Sequence, residues 1–100
     1  MDQPLKTPSR ADLDLRRRRI LFRSWHRGMR EMDLILGGFA EAKVADLSDA
    51  ELDDFEILLD ATDRDVFGWV TGEFETPANF DTGLFRKICA FHTHEKPLHS

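Results

Sequence analysis

Arginines crowd the first third of this chain. Arg16-Arg17-Arg18-Arg19 run together, and Arg23, Arg27 and Arg30 follow at spacings of four, four and three residues with Trp25 among them. Guanidinium groups fork onto phosphates and carboxylates, and an indole stacks on a base, so one reading of Arg16 to Arg30 is a small nucleic-acid-binding helical module. An acidic stretch of comparable density opposes it. Residues 1–30 hold nine Lys/Arg against three Asp, whereas residues 41–75 hold twelve Asp/Glu against Lys43 and Arg64. A nucleic-acid domain usually leaves its basic face unopposed, so no nucleic-acid partner is expected. The asymmetry itself leaves two readings open: helix faces of opposite sign attracting each other inside one fold, or a field that steers a charged partner.

Other chemistry is thinly represented. Cys89, His92 and His94 lie within six residues and His99 follows, but on a continuing helix His94 turns away from the other two. No second Cys/His cluster completes a tetrahedral set, so no metal is expected, and the histidines read as part of a polar tail. There is no nucleophile triad, no phosphate-cradling glycine loop and no dinucleotide fingerprint. Nineteen carboxylates on helix faces are an ordinary device for solubility. Catalysis by this chain alone is not expected. Phe67 and Trp69 read as core packing before they read as an aromatic contact surface.

The segment Arg27-Gly28-Met29-Arg30-Glu31 stands apart. It closes the basic stretch and opens the acidic one. Glycine's freedom at positive φ makes Gly28 a natural helix terminator, and Glu31 then falls in the first turn of the next helix, where a carboxylate meets the positive end of the dipole. Arg23, Arg27 and Arg30 gain nothing from that arrangement, since cations beside a helix start are mildly unfavourable. A surplus of guanidinium groups around a tight turn suits a docking surface for an acidic or cofactor-bearing partner.

The elements that must hold this junction can be read from periodicity. One hundred residues, 41% apolar and 33% charged, fit one small domain that buries roughly two thirds of its unfolded surface. Residues 1–11, with Pro4 and Pro8, read as a disordered arm, residues 12–94 as the helical domain and residues 95–100 as a flexible tail. A first helix is expected from about Asp12 to Gly28, with Leu21, Trp25, Gly28 and Met32 marking an apolar line. A second spans about Met29 to Val44, with Met32, Ile35, Leu36 and Phe39 inward and a bend expected at Gly37-Gly38. Ser48 and Glu51 form a capping box that starts a third helix, running to about Ala61 with Leu52, Phe55, Leu58 and Leu59 buried. Asp63 is the expected N-cap of a fourth helix stopped by Gly72, and a fifth begins near Asp81, burying Leu84, Phe85, Ile88 and Cys89. No segment alternates as a strand does. The fold class is all-α, a compact bundle of about five short helices.

With the junction quoted in full, Trp25-His26-Arg27-Gly28-Met29-Arg30-Glu31-Met32-Asp33, the chain resembles the succinate dehydrogenase assembly factors. Their Arg-Gly-x-x-Glu motif is matched by Arg27, Gly28 and Glu31, and Asp65-Val66-Phe67-Gly68-Trp69-Val70-Thr71-Gly72 is similar to the family's acidic, aromatic fourth-helix segment. The resemblance covers about residues 15 to 92. It implies a five-helix fold and a chaperone-like, non-enzymatic assembly factor that binds the flavoprotein subunit of succinate dehydrogenase, with the fumarate reductase flavoprotein as a further client. It further implies that the factor promotes attack of a client histidine on the 8α carbon of FAD by holding the client in a reactive arrangement. The FAD is held by the client, and none is expected to be bound stably by this chain. Carried onto this sequence, Gly28 permits close backbone approach, Arg27 donates to client acceptors and Glu31 orients that contact, with Arg30, His26 and Arg23 on the same surface.

Location follows the same reasoning. No apolar run approaches the ~20 residues of a membrane span, and neither a secretory signal nor an acid-poor transit peptide is evident, so no membrane insertion is expected. The lone Cys89 fits a reducing compartment. The expected site is the cytoplasm in a bacterium, or the mitochondrial matrix if the source is eukaryotic.

Overall fold

In the computed structural model, residues 12–92 are described; the expected arm and tail, with His94 and His99, lie outside them. Five α-helices and one 3₁₀ turn make up the described chain, with no strand among the described residues. Helix α1 (Leu15–Trp25) starts three residues later than periodicity predicts, because the Asp14 carboxylate accepts from the Arg17 amide at 2.8 Å and so caps the helix. That hydrogen bond, followed by those to the Arg17 side chain, holds the Asp14 carboxyl below its ordinary value. The helix ends at Trp25, three residues before Gly28. His26 leaves the helical region, and Gly28 supplies the reversal at φ +93°. Ile20, Leu21 and Ser24 form the buried face of α1; the Ser24 hydroxyl donates to the Ile20 carbonyl at 2.7 Å and so enters the core without an orphaned polar atom.

Helix α2 (Arg30–Lys43) carries the densest apolar stripe. Met32, Ile35, Leu36, Phe39 and Ala40 are all at most 1% exposed. The helix runs unbroken through Gly37 and Gly38, and the glycines have a different use from the expected bend. A Cβ at Gly37 would lie 2.3 Å from Cδ2 of Trp25, so the missing side chain is the seat of the indole ring. The indole Nε1 donates to Glu41 of the same helix at 3.1 Å. Two adjacent helices thus approach through one aromatic plate laid on a glycine.

A 3₁₀ turn (Val44–Asp46) leads to helix α3 (Asp49–Leu59). The capping box is present in both directions, with the Glu51 amide donating to Ser48 Oγ at 3.1 Å and the Ser48 amide donating to Glu51 Oε1 at 2.9 Å. Helix α4 (Asp63–Thr71) is capped by Thr62 instead of Asp63, whose carboxylate is engaged elsewhere, and it stops at Gly72 with φ +84°. Helix α5 (Gly83–Ala90) begins two residues after the predicted start, where the Thr82 hydroxyl accepts from the Phe85 amide at 3.1 Å.

One apolar core joins all five helices. Phe39 packs at 6.0 Å from Phe55 and edge-on at 5.7 Å from Phe91, between α2, α3 and the end of α5. Phe67, Trp69 and Cys89 pack on this core while only partly buried, and Trp69 faces Phe80 at 4.6 Å. Burial, followed by the nearby Asp81 charge, pushes the Cys89 thiol up, away from the thiolate form. His92 corrects the reading of a polar tail histidine: it is 9% exposed and its Nε2 donates to the Ile35 carbonyl at 2.6 Å, while its buried Nδ1 has no hydrogen-bond partner among the described residues.

Part of the charge asymmetry of the sequence is an internal pairing. Arg16 forks onto Glu56 at 3.1 and 2.8 Å and also reaches Asp53, Arg23 donates to Asp60 at 2.9 Å, and Arg27 donates to Asp63 at 2.8 Å. The partners advance in step along the chain, so α1 and its C-terminal extension run parallel to α3 with a ladder of ion pairs between them. The bonds to Glu56 first, then Asp53, raise the Arg16 guanidinium further above its already high value. Arg17 does different work: Nε and Nη2 donate to the Val44 and Leu47 carbonyls at 3.0 and 2.6 Å, pinning the turn between α2 and α3.

Candidate functional site

The α1–α2 junction is built by five residues from three parts of the chain. Asp33, in the first turn of α2, reaches back to accept from the Arg27 amide at 2.7 Å. This bond closes the loop over Gly28 as a capping box closes a helix start, although the N-cap residue Met29 makes no side-chain cap of its own. The Arg27 guanidinium turns inward: Nε donates to Asp63, Nη1 to the Leu59 carbonyl at 2.7 Å and Nη2 to the Ala61 carbonyl at 2.9 Å. Its side chain is only 11% exposed and that of Asp63 only 20%. Arg27 therefore satisfies carbonyls left open where α3 ends and locks the start of α4 to the junction.

What remains outward is a small, stiff surface. Gly28 is exposed, and a Cβ built on it would meet nothing within 4 Å; its positive φ is a backbone requirement, and the space above it is open. Arg30 and Glu31 are exposed and make no ion pair or side-chain hydrogen bond among the described residues. His26 is exposed and stacks on Phe22 with ring centroids 3.9 Å apart. Its Nδ1 donates to the Phe22 carbonyl at 2.7 Å, which leaves Nε2 as the outward acceptor. Arg23 is exposed beside it and holds Asp60.

The six sequence-predicted residues are thus neighbours along one junction, but they divide by orientation. Gly28, Arg30, Glu31 and His26 face out, Arg23 faces out while paired, and Arg27 turns its guanidinium onto a carboxylate and two carbonyls of its own fold. Sequence reasoning missed Asp33 and Asp63. Asp33 carried a signal, lying six residues after Arg27 in the first turn of α2; Asp63 carried none, being 36 residues away. The surface offers donors and acceptors, with no enclosed acid–base pair, and among the described residues no group of three His, Cys, Asp or Glu is placed to hold a metal ion.

Residues 18–92 match the sequence model of the family described as flavinator of succinate dehydrogenase. The chain belongs to this family. The junction, the capped third helix and the Trp69 segment all fall inside the matched span. Among relatives, the chain is 34% identical over 88 residues to the mitochondrial succinate dehydrogenase assembly factor 2 of Dictyostelium discoideum, covering 88% of this chain and 62% of that protein. It is 36% identical over 77 residues to the FAD assembly factor SdhE of Acetobacter pasteurianus, covering 77% of this chain and 71% of the relative. A mitochondrial assembly factor 2 of Mycosarcoma maydis is 39% identical, with 80% of this chain and 34% of that protein covered. The chain therefore spans less than two thirds of the length of the two mitochondrial relatives.

Proposed function

We propose that this protein is an assembly factor for succinate dehydrogenase that binds the flavoprotein subunit and promotes covalent attachment of FAD to a client histidine. The observation that carries this reading is the outward face of the Arg27-Gly28-x-x-Glu31 junction, stiffened from behind by Arg27 and unengaged in front, in a chain of the flavinator family. The FAD is held by the client, the new bond forms in the client's own site, and this chain turns nothing over by itself.

Its contribution is geometric. Docking of a rigid surface narrows the client's conformations toward those in which the attacking nitrogen and the flavin carbon meet, and positioning of this sort is worth up to several kcal/mol of barrier. Gly28 admits a client backbone, Glu31 accepts from it, Arg30 and His26 flank the contact, and Arg27 acts from behind by fixing the turn. The flavoprotein of fumarate reductase is a second client on the same chemistry. No described helix is long and apolar enough to cross a membrane. The working compartment is that of the client flavoprotein: the bacterial cytoplasm or the mitochondrial matrix.

Co-expression with a succinate dehydrogenase flavoprotein subunit, followed by in-gel flavin fluorescence under denaturing conditions, tests the reading. More covalent flavin is expected with this protein than without it; equal fluorescence would remove the proposal. Gly28→Asn and Glu31→Ala refine it. Asparagine tolerates positive φ better than other substituents, and its side chain would stand in the open space where a client approaches. Both variants are expected to melt within a few degrees of the parent and to lower flavinylation. Parental flavinylation in both would refute the docking assignment.

A further inference from the structure

Three of the arginines that crowd the N-terminal third are not used by the fold. Arg16, Arg17, Arg23 and Arg27 are bound to carboxylates and carbonyls of their own chain. Arg18, Arg19 and Arg30 are exposed and make no ion pair or side-chain hydrogen bond among the described residues. Arg18 and Arg19 stand on the outer face of α1, which also carries two apolar side chains that the core leaves outside. Leu15 is 53% exposed and Phe22 61%. Their spacing of seven residues puts them on one side of the helix. Together with Arg18, Arg19 and Arg23 they line an open trough along α1.

The Phe22 ring is not free to fold away. One face is covered by His26 at 3.9 Å with an interplanar angle of 20°, and the Nδ1 bond to the Phe22 carbonyl fixes that imidazole. The other face is presented to solvent beside two unpaired guanidinium groups, and His26 carries the same face on to Gly28.

We infer that the outer face of α1 is a second docking surface, taking an acidic segment that brings one apolar side chain against Phe22 and carboxylates onto Arg18 and Arg19. The inference rests on the proposed client, to whose flavoprotein the segment belongs. Charge complementarity selects this occupant, since guanidinium forks match carboxylates in bidentate geometry and an aromatic anchor flanked by arginine is the usual make-up of an interface hot spot. An anionic lipid surface fits less well. Only two apolar side chains are offered, and exposed Asp53 of α3 and Asp60 just past its end stand beside the same face. A second copy of this chain could offer Ile57, 50% exposed on the acidic helix α3, and is weighed in the test.

Binding kinetics on an immobilised, purified succinate dehydrogenase flavoprotein subunit separate these possibilities. The pair Arg18→Glu with Arg19→Glu is expected to slow association by roughly tenfold at low salt and to flatten its salt dependence, because exposed charges act on encounter. Phe22→Ala is expected to speed dissociation by roughly tenfold, as loss of an aromatic anchor does. Both variants should keep the parental melting temperature, since neither side chain enters the core. Glu31→Ala serves as the arm that reads the junction. If the parent protein does not bind the flavoprotein at all, the client reading falls and this inference with it. If the parent binds and Glu31→Ala weakens it while the α1 variants bind as the parent does, the α1 surface alone is refuted. Parental flavoprotein binding by Phe22→Ala, combined with its loss of sedimentation on phosphatidylglycerol vesicles or of concentration-dependent self-association, would likewise overturn the assignment, in favour of a lipid surface or a second copy.

Discussion

Removing the Arg27 side chain tests whether this residue works chiefly inside the fold. The guanidinium makes three hydrogen bonds of 2.7 to 2.9 Å, two to carbonyls at the end of α3 and one to Asp63. Hydrogen bonds involving a charged group contribute about 1.5–3 kcal/mol each when their partners are well buried, and they do not add. Arg27→Ala lets water reach the freed carbonyls but leaves Asp63 without its cation. A loss of about 2–4 kcal/mol is therefore expected, and about 1–2 kcal/mol for Asp63→Asn, which keeps the shape and one acceptor. For a domain this small each kcal/mol lowers the melting temperature by about 4–8 °C, so Arg27→Ala should melt at least about 8 °C early. Urea unfolding followed by far-UV circular dichroism, run as a double-mutant cycle, should return a coupling of about 1–2 kcal/mol between the two positions. Arg27→Lys should recover only part of the loss, because an ammonium cannot serve three acceptors in a planar fork. An Arg27→Ala protein with parental stability, or a cycle with no coupling, would falsify the internal role and return Arg27 to the docking surface.

Adjacent glycines should respond with opposite signs. Gly37→Ala would drive a Cβ into the Trp25 ring and is expected to destabilise by about 1–3 kcal/mol, whereas Gly38→Ala, whose nearest neighbour is His92 Cε1 at 3.8 Å, should stabilise by up to about 1 kcal/mol. Thermal melts that move the same way for both would contradict the seating of the indole. Glu51 is held below its ordinary value of 4.5 first by the Lys87 ammonium and then by the Ser48 amide, so its folded form is favoured while it is ionised. That stabilisation is complete well above pH 4.5 and is lost as the pH falls through the lowered folded value. Glu51→Gln should therefore unfold at lower urea than the parent at pH 7, with the difference closing on acidification below pH 4.5. A pH-independent difference would mean that the contact, and not the charge, is what matters.

Where local chemistry sets an element's bounds, the sequence was sufficient. The Ser48–Glu51 box, the stop at Gly72 and the apolar stripe of α2 are contained in runs of a few residues, and each is found as read. Errors arose wherever two elements compete for one group. Asp63 has the composition of an N-cap, but Arg27 claims its carboxylate from 36 residues away and Thr62 caps the helix instead. Gly37-Gly38 has the composition of a bend, but an indole from another helix occupies the vacant side and the helix continues. His92 has the composition of a tail, but the open carbonyl of Ile35 draws it into the core. Periodicity reports one helix at a time, whereas these placements depend on pairs of helices. For the candidate site the sequence places the motif residues side by side at one helix junction, but it does not show that the Arg27 guanidinium turns inward.

That direction bears on how the junction works. An exposed loop that must be ordered on binding costs entropy at the moment of docking, of the order of 1 kcal/mol or more per residue fixed. Here the loop is fixed beforehand. Asp33 holds the Arg27 amide, Arg27 holds two helix ends, and only Gly28, Arg30, Glu31 and His26 remain to be engaged. On the proposed function, these four groups meet the client in a set geometry without further ordering. Gains in positioning on the client then require little rearrangement of the factor. On the same reading, stability and docking are tied through Arg27 and Asp63, so substitutions there should weaken both together, while Glu31→Ala should weaken docking alone.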